Sequence, residues 1–595
     1  MMDRKAWIAI TLSVVGLVAW QWYISKYITP AQQAAAAAAA AAAPAPSAAP
    51  AGVQAPTVSP AGNALTPAAS ATPGAAAQSA TPPQQVMTAR AESLSAEGAE
   101  FVFNNDSGGI EQVILLMHQG ENQQSVSLNR DRGMPIGALG FNPGEVFGGF
   151  EMSTDRTKGE ATFSKTAADG IEITKRFVLP PADEKNRLYI VNLEVAFRNP
   201  GKTEVQVPPF YVGTGGSAPI HQSDLPMYTC FDWSSAGKMT TIDVNWFAPS
   251  TIPLVGIQTR GERPLYLESK PDVQWAAVAS QYFCTIVTAK DPGASVWARR
   301  FDTKKQNNAS VFGIQGGIGQ AGFAVAPGAT VTKSFEIYAG PKELGRLRKI
   351  GGNQDAVLNF GMFGFISEFL LWGMNVLNGW LGSYAAAIIV LTLIIKSGLW
   401  PIQNKATNEM RKMSSLSPKM AELKEKFKDD PQKMNEETMK LYREYGVNPF
   451  SGCIPMFIQI PIFFGFYSML GTAIELRNSS FFWIHDLSQP DTIGHFLGFP
   501  INLLPLIMSL TMVWQMVITP KSGDAAQQRI LYFMPIIFLT FAYNYASGLA
   551  LYWTTQNIFS IVQLYLTRNR PLPTLEKKSV IAKREAAKNP KKKRP

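Results

Sequence analysis

The 595-residue chain is poor in the side chains that carry out chemistry. It has three cysteines, Cys230, Cys284 and Cys453, and four scattered histidines, His118, His221, His485 and His495. Their spacing matches no zinc site, catalytic triad or dense disulfide framework. Cys230 and Cys284 would pair only in an oxidising compartment, and free thiols are the favoured reading. No nucleotide-binding or cofactor motif occurs. Gly213–Gly216 (GTGG) lacks the Lys-Ser/Thr of a phosphate loop and reads as a turn. Carboxylates are plentiful, but nothing places two of them across a sugar bond. The expectation is a protein that is not an enzyme, with no cofactor and no metal.

Charged residues are only 16% of the chain, and apolar residues 46%. That average joins a polar, strand-like middle to a greasy C-terminal third, which is the pattern of a membrane protein with a soluble domain. At the N-terminus, Asp3-Arg4-Lys5 precedes the apolar run Trp7–Ile24, closed by Trp20, Trp22, Tyr23 and Tyr27. The basic start places the N-terminus in the cytoplasm, and residues 1–28 read as a retained transmembrane anchor. A cleaved signal peptide is the competing reading, since Ala-rich sequence follows Pro30. Residues 29–89, almost all Ala, Pro, Ser, Thr, Gly and Gln, read as a disordered tether.

Between 90 and 348, short runs alternate apolar and polar residues, as in Gly170–Leu179 and Arg187–Phe197. Period-two runs broken by Gly, Pro, Asn and Asp predict a large antiparallel β-sandwich. Tyr211, Trp233, Trp246 and Trp275 read as sandwich core, with a ligand groove as the alternative. Residues 355–378 read as an interfacial amphipathic helix that turns into the membrane at Asn378–Gly382.

Five apolar spans are predicted within 379–567. The first runs from Tyr384 to Ile395, meets one cation, Lys396, and is closed by Pro401. A charge at the bilayer centre costs about 2.5–3.5 kcal/mol, so Lys396 is a functional-site candidate; it is also near enough to Trp400 and the interface to snorkel. Thr392 lies one turn earlier on the same face. Gln403–Tyr445 then carries ten Lys/Arg and eight Asp/Glu. Methionines at helical spacing, Met413 and Met420 among them, and a break at Asp429-Asp430-Pro431 predict a cytoplasmic helical hairpin over 403–447. Phe481-Phe482-Trp483, in a loop poor in Lys/Arg, reads as an interface anchor. The later spans carry uncharged polar groups, including Gln459, Asn502, Gln556, Asn557 and Gln563. Singly these are helix–helix hydrogen bonds; together with Lys396 they line a wet cavity. No inverted repeat of the transporter kind is evident. The tail 568–595 is cytoplasmic and basic, with eleven Lys/Arg against two Glu after Leu566, which suits ribosomal RNA or anionic lipid.

The order of these parts resembles the YidC family of bacterial membrane protein insertases. The most specific stretches are Leu391–Pro401 (LTLIIKSGLWP) and Asn448–Leu470 (NPFSGCIPMFIQIPIFFGFYSML), with Ser547–Gln563 weaker. The resemblance implies an α-helical inner-membrane protein, an anchor span plus a five-span core, with both termini cytoplasmic and the β-sandwich in the periplasm. It implies insertion of nascent membrane proteins, alone or with the Sec translocon and the ribosome, and no small-molecule substrate. It assigns Lys396 to a hydrophilic groove open to the cytoplasm, with Thr392 as its partner and Tyr552 and Trp553 beside it; the span residue Gln459 joins these as a groove candidate, and Met413, Met420 and Pro431 belong to the hairpin. The sequence departs from the family at two of these positions: the groove cation is commonly Arg, and Trp553 stands where many members have Tyr. A solute transporter and a membrane-anchored carbohydrate enzyme are the alternative classes.

Overall fold

In the computed structural model the described residues are 91–568, apart from 121–123, 131–132, 182–187, 222–223, 252–257, 304–310, 429, 449–453, 497–498 and 520–524. The anchor, the tether, Cys453 and the basic tail lie outside them.

The middle of the chain is antiparallel β-structure, as its alternation predicts. A four-stranded sheet (Ala91–Ser95, Ala99–Asn104, Gly109–Gln119, Ser125–Leu128) packs on a twelve-stranded one. Phe103 of the first meets Phe163 and Phe177 of the second, with ring centroids 6.1 and 5.2 Å apart. The 20-residue strand Phe283–Asp302 ties the large sheet together. Its first half pairs with Thr330–Pro341 and its second half with Phe312–Gln320. Trp275 and Trp233 are core, as expected.

GTGG is not a turn. It lies within the strand Phe210–Ser217, at a bulge between Gly213 and Gly215. Gly215 has φ +83°, and a Cβ on Gly216 would stand 2.8 Å from the Gly133 backbone, so the glycines permit a bulge and a close approach. Cys230 and Cys284 are buried and free. Both are in register with Ala279, which lies on the strand between them. Two inter-strand spacings, about 9.6 Å, exceed the roughly 7 Å limit for a disulfide.

A short helix, α1 (Leu344–Ile350), leads into α2 (Gly364–Leu381). The sequence reading began this helix earlier; the glycines at 361 and 364 delay it, and residues 354–358 and 361–363 form 3₁₀ turns instead. One face of α2 buries Leu370, Leu371 and Met374, while Phe365, Phe369, Trp372, Val376 and Trp380 stay exposed. Gly382, at φ +66°, closes α2, and the Ser383 hydroxyl caps the next helix by accepting from the Ala386 amide.

That helix, α3 (Tyr384–Ser415), runs unbroken through Pro401, where the sequence predicted a stop. Proline inside a helix costs about 3 kcal/mol, and here tertiary docking offsets it. The docking partner is the last helix. After α3 come α4 (Ser417–Lys426), α5 (Pro431–Tyr445), α6 (Ile454–Thr472), α7 (Leu503–Ile518), α8 (Ala525–Ala542) and α9 (Ser547–Arg568). Trp400 meets Phe559 edge-on at 5.4 Å, Gln563 donates to Asn404, and Arg411 donates to the Thr567 carbonyl at 2.5 Å. Among the described residues α3 alone is long and apolar enough to cross a membrane by length and composition. Phe457–Thr472, Leu503–Ile518 and Phe533–Ala542 are apolar and shorter.

Candidate functional site

Helical spacing builds the site from three helices. On α3, Thr392, Lys396, Leu399 and Gln403 follow each other at intervals of three and four, so they share a face. On α9, Tyr552, Gln556 and Gln563 lie four and then seven residues apart and likewise share a face. Gln459 projects from α6 between them and donates both Nε2 protons, one to the Tyr552 hydroxyl and one to Gln556 Oε1, each at 2.9 Å. Tyr552 is fully buried and stacks on Phe466 with centroids 4.0 Å apart. Thr392 is buried and returns its proton to the Ile388 carbonyl at 2.7 Å.

These groups enclose two small spaces, each about 10 Å³, that share Lys396 and Gln459. One is bounded by Thr392, Tyr552 and Gln556. The other continues to Gln403 and Gln563, toward the charged end of α3. Lys396 is half-buried, and among the described residues no carboxylate or histidine lines either space beside it. The result is a cation set in amide and hydroxyl groups, able to meet polar or anionic groups without itself being neutralised.

The outer faces are the opposite. Leu506, Leu510, Val513, Trp514 and Val517 form an exposed stripe on α7, and Phe533, Ile536, Ile537 and Phe541 another on α8. Exposed apolar stripes of this extent face lipid or a partner.

Four of the five groove residues from the sequence therefore meet: Lys396, Thr392, Gln459 and Tyr552. Trp553 does not line either space; it packs between Phe463 and Phe538, at 4.7 and 4.4 Å. Adjacent residues on a helix point about 100° apart, so Tyr552 and Trp553 face different neighbours. Gln403 was missed because it lies beyond Pro401, where the span was expected to end. Asn557 and Asn502 make helix and loop contacts instead, to Thr511 Oγ1 at 3.0 Å and to the Tyr543 carbonyl at 2.6 Å.

The charged segment is helical, with a second break that the sequence reading did not place. The chain restarts at Leu416, where Pro418 enters the first turn of α4. Met413 and Met420 pack on a small core of Leu416, Tyr442 and Val447, and the Tyr442 hydroxyl contacts Met420 Sδ at 3.1 Å. Pro431 opens α5 behind Asp430, whose carboxylate accepts from the Lys433 amide.

Residues 100–373 match the profile of the YidC periplasmic domain, and residues 376–573 that of the 60Kd inner membrane protein family. A membrane protein insertase YidC from Geobacter sp. (strain M21) is 30% identical over 482 residues, which are 78% of this chain and 83% of that protein. The chain belongs to the YidC family. A second relative, from Syntrophobacter fumaroxidans, is 32% identical over 69% of this chain and 71% of its own. The YidC of Syntrophus aciditrophicus is 39% identical over a region that spans half of this chain and 52% of that protein. As a YidC-family member the chain is an inner-membrane protein with a periplasmic β-domain. The polar site lies wholly within the part that matches the inner-membrane profile.

Proposed function

We propose that this protein inserts other proteins into the inner membrane and helps them fold, by offering their polar segments a groove walled by α3, α6 and α9. The observation that carries this reading is the convergence of Lys396, Thr392, Gln459, Tyr552 and Gln556 inside helices whose outer faces are apolar. A polar segment crossing bare hydrocarbon leaves its groups unsatisfied, at several kcal/mol each. Amides, hydroxyls and one ammonium along its route lower that cost, while the substrate's apolar segment partitions into lipid. No nucleotide is required; partitioning and the membrane potential drive the step.

In this reading α3, α6, α7, α8 and α9 are the five crossings of residues 379–567, and residues 1–28 are a sixth, N-terminal anchor. The segment 403–447 and both termini are cytoplasmic, and the groove opens toward them. Nascent membrane proteins are the substrates. The Sec translocon, and the ribosome through the basic tail, are the partners. Solute transport is the poorer reading, since it calls for paired ionisable groups and Lys396 has no acidic or histidine neighbour along the two spaces.

The test replaces Lys396 and measures insertion of a panel of single-span proteins in depleted cells or liposomes. Lys396→Arg keeps the charge and retains insertion. Lys396→Ala lowers it roughly tenfold for substrates with charged translocated segments, the worth of about 1.4 kcal/mol. Full insertion by Lys396→Ala across the panel would show a snorkelling lysine instead.

A further inference from the structure

The segment between α6 and α7 carries a tight turn and a pair of short strands, and both present large apolar side chains to the outside. In the first, Phe481 and Ile484 exchange two 2.8 Å backbone hydrogen bonds, which places Phe482 and Trp483 at the tip. Phe482 has φ +49°, a conformation that aromatic residues adopt only under strain, and is 84% exposed. The second is the hairpin of strands Thr492–Phe496 and Phe499–Asn502. Phe496 and Phe499 stand opposite each other across it and are 67% and 76% exposed.

The bases of both elements are polar and fixed. The buried Asp491 accepts from Trp483 Nε1 at 3.1 Å and from the Leu504 amide of α7 at 2.6 Å. The Tyr543 hydroxyl donates to the Pro500 carbonyl at 2.6 Å, and Asn502 donates to the Tyr543 carbonyl. A two-stranded hairpin is marginal by itself, so its aim is set by these contacts. Polar bases held against α7 and the end of α8, with exposed aromatic side chains beyond them, are the reverse of what water selects.

We propose that the Phe481–Ile484 turn and the strand ends Phe496 and Phe499 form a two-pronged aromatic anchor seated in the interfacial layer of the outer leaflet, with Asp491 as its positioning residue. The occupant follows from continuity: the second prong runs directly into Leu503, the first residue of α7, whose exposed stripe starts at Leu506. Lipid that covers that stripe meets the prongs at the same end of the helix. Phenylalanine and tryptophan side chains are favoured at this depth. The inference rests on the reading of α7 as a membrane span and extends it to a loop that the groove does not use.

Nitroxide accessibility in proteoliposomes tests it, using the full chain in a Cys453→Ser background, Cys230 and Cys284 being buried. Labels go on Phe482→Cys, Phe496→Cys and Phe499→Cys, on Leu510→Cys in the α7 stripe, and on Lys158→Cys on the exposed surface of the β-domain. The three prong labels should collide with oxygen in preference to a water-soluble nickel chelate severalfold more than position 158 does. Asp491→Ala should raise nickel access at 496 and leave 510 unchanged. Nickel access at the prongs equal to that at 158, with 510 still protected, overturns the anchor alone. Protection from both reagents overturns it too, in favour of a protein partner or a second copy. Nickel access at 510 itself overturns the spanning reading of α7.

Discussion

At the scale of single residues, two lysines, Lys396 and Lys175, lie in very different surroundings. Lys396 was legible as a site because one cation interrupts an apolar run, and Thr392 because it lies one turn away. Gln459 was legible as a polar group in an apolar span, Tyr552 came from the family resemblance, and the geometry brings both to Lys396. Lys175 was not legible. It sits in a strand of ordinary alternation, yet it is fully buried, donates to the Gly108 carbonyl, and lies within 6 Å of the rings of Phe150, Phe163 and Phe177. Phe177 shares the strand and face of Lys175, but Phe150 and Phe163 come from a loop and another strand, which sequence periodicity does not bring together. Burial pushes the Lys175 amine down to about 7. The unfolded chain then binds more protons between pH 7 and the ordinary lysine value near 10.5, so stability rises with pH across that window. The cost of burying the charged form, felt in full below pH 7, is on the order of 5 kcal/mol. Lys175→Met should raise the denaturation midpoint of the full chain's β-domain transition at pH 7 and flatten its rise toward pH 10. A slope unchanged by the substitution would contradict this account.

At the scale of elements, the two prolines Pro401 and Pro418 have opposite outcomes, and only the first was read as a break. Pro401 is carried inside α3 because α9 holds the helix on both sides of it; Pro418 starts a new helix because Leu416 turns into the small core with Tyr442 and Val447. Local propensity cannot separate them, since the deciding partners are far along the chain. The β-strands of the middle were legible, because a half-buried strand writes its period into the sequence; the bulged GTGG strand was not, because glycines also signal turns. The packing of α2 on α6 gives a direct test. Gly465 on α6 lies so close that a Cβ would meet Ile366 Cγ2 at 2.7 Å, and its carbonyl accepts from the Ser367 hydroxyl at 3.0 Å. Gly465→Val should separate the two helices at a cost of about 1–3 kcal/mol. Faster hydrogen exchange along Leu370–Met374, with α7 unchanged, is the expected result; unchanged exchange in α2 would contradict the close packing.

At the scale of the whole molecule, the β-domain is bonded to the helical part by a few side chains. Arg477 donates to the Gln119 carbonyl at 2.8 Å and lies 5.4 and 5.1 Å from the rings of Tyr282 and Phe283. Gln281 donates to the Gly471 carbonyl, and the Tyr282 hydroxyl to the Ser488 carbonyl. None of this was legible, because the bonds end on backbone carbonyls that any residue supplies. Burial and the Arg477 charge hold His118 down at about 4, so this contact region keeps its histidine neutral at neutral pH. Arg477→Ala should loosen the docking by about 2 kcal/mol, seen as faster exchange at residues 115–119 and 281–283 with the β-core unaffected. Equal exchange would show that the docking rests elsewhere. The division of labour also follows at this scale: the β-domain carries no part of the polar site, and the helices carry all of it. The central claim, that a substrate's polar segment passes along Lys396, is tested most directly by photo-crosslinking a nascent single-span protein to probes at positions 392, 396, 459 and 556, with a surface probe at 158 as control. The account predicts substrate adducts at the four groove positions and none at 158; no adduct at any of the four would contradict it.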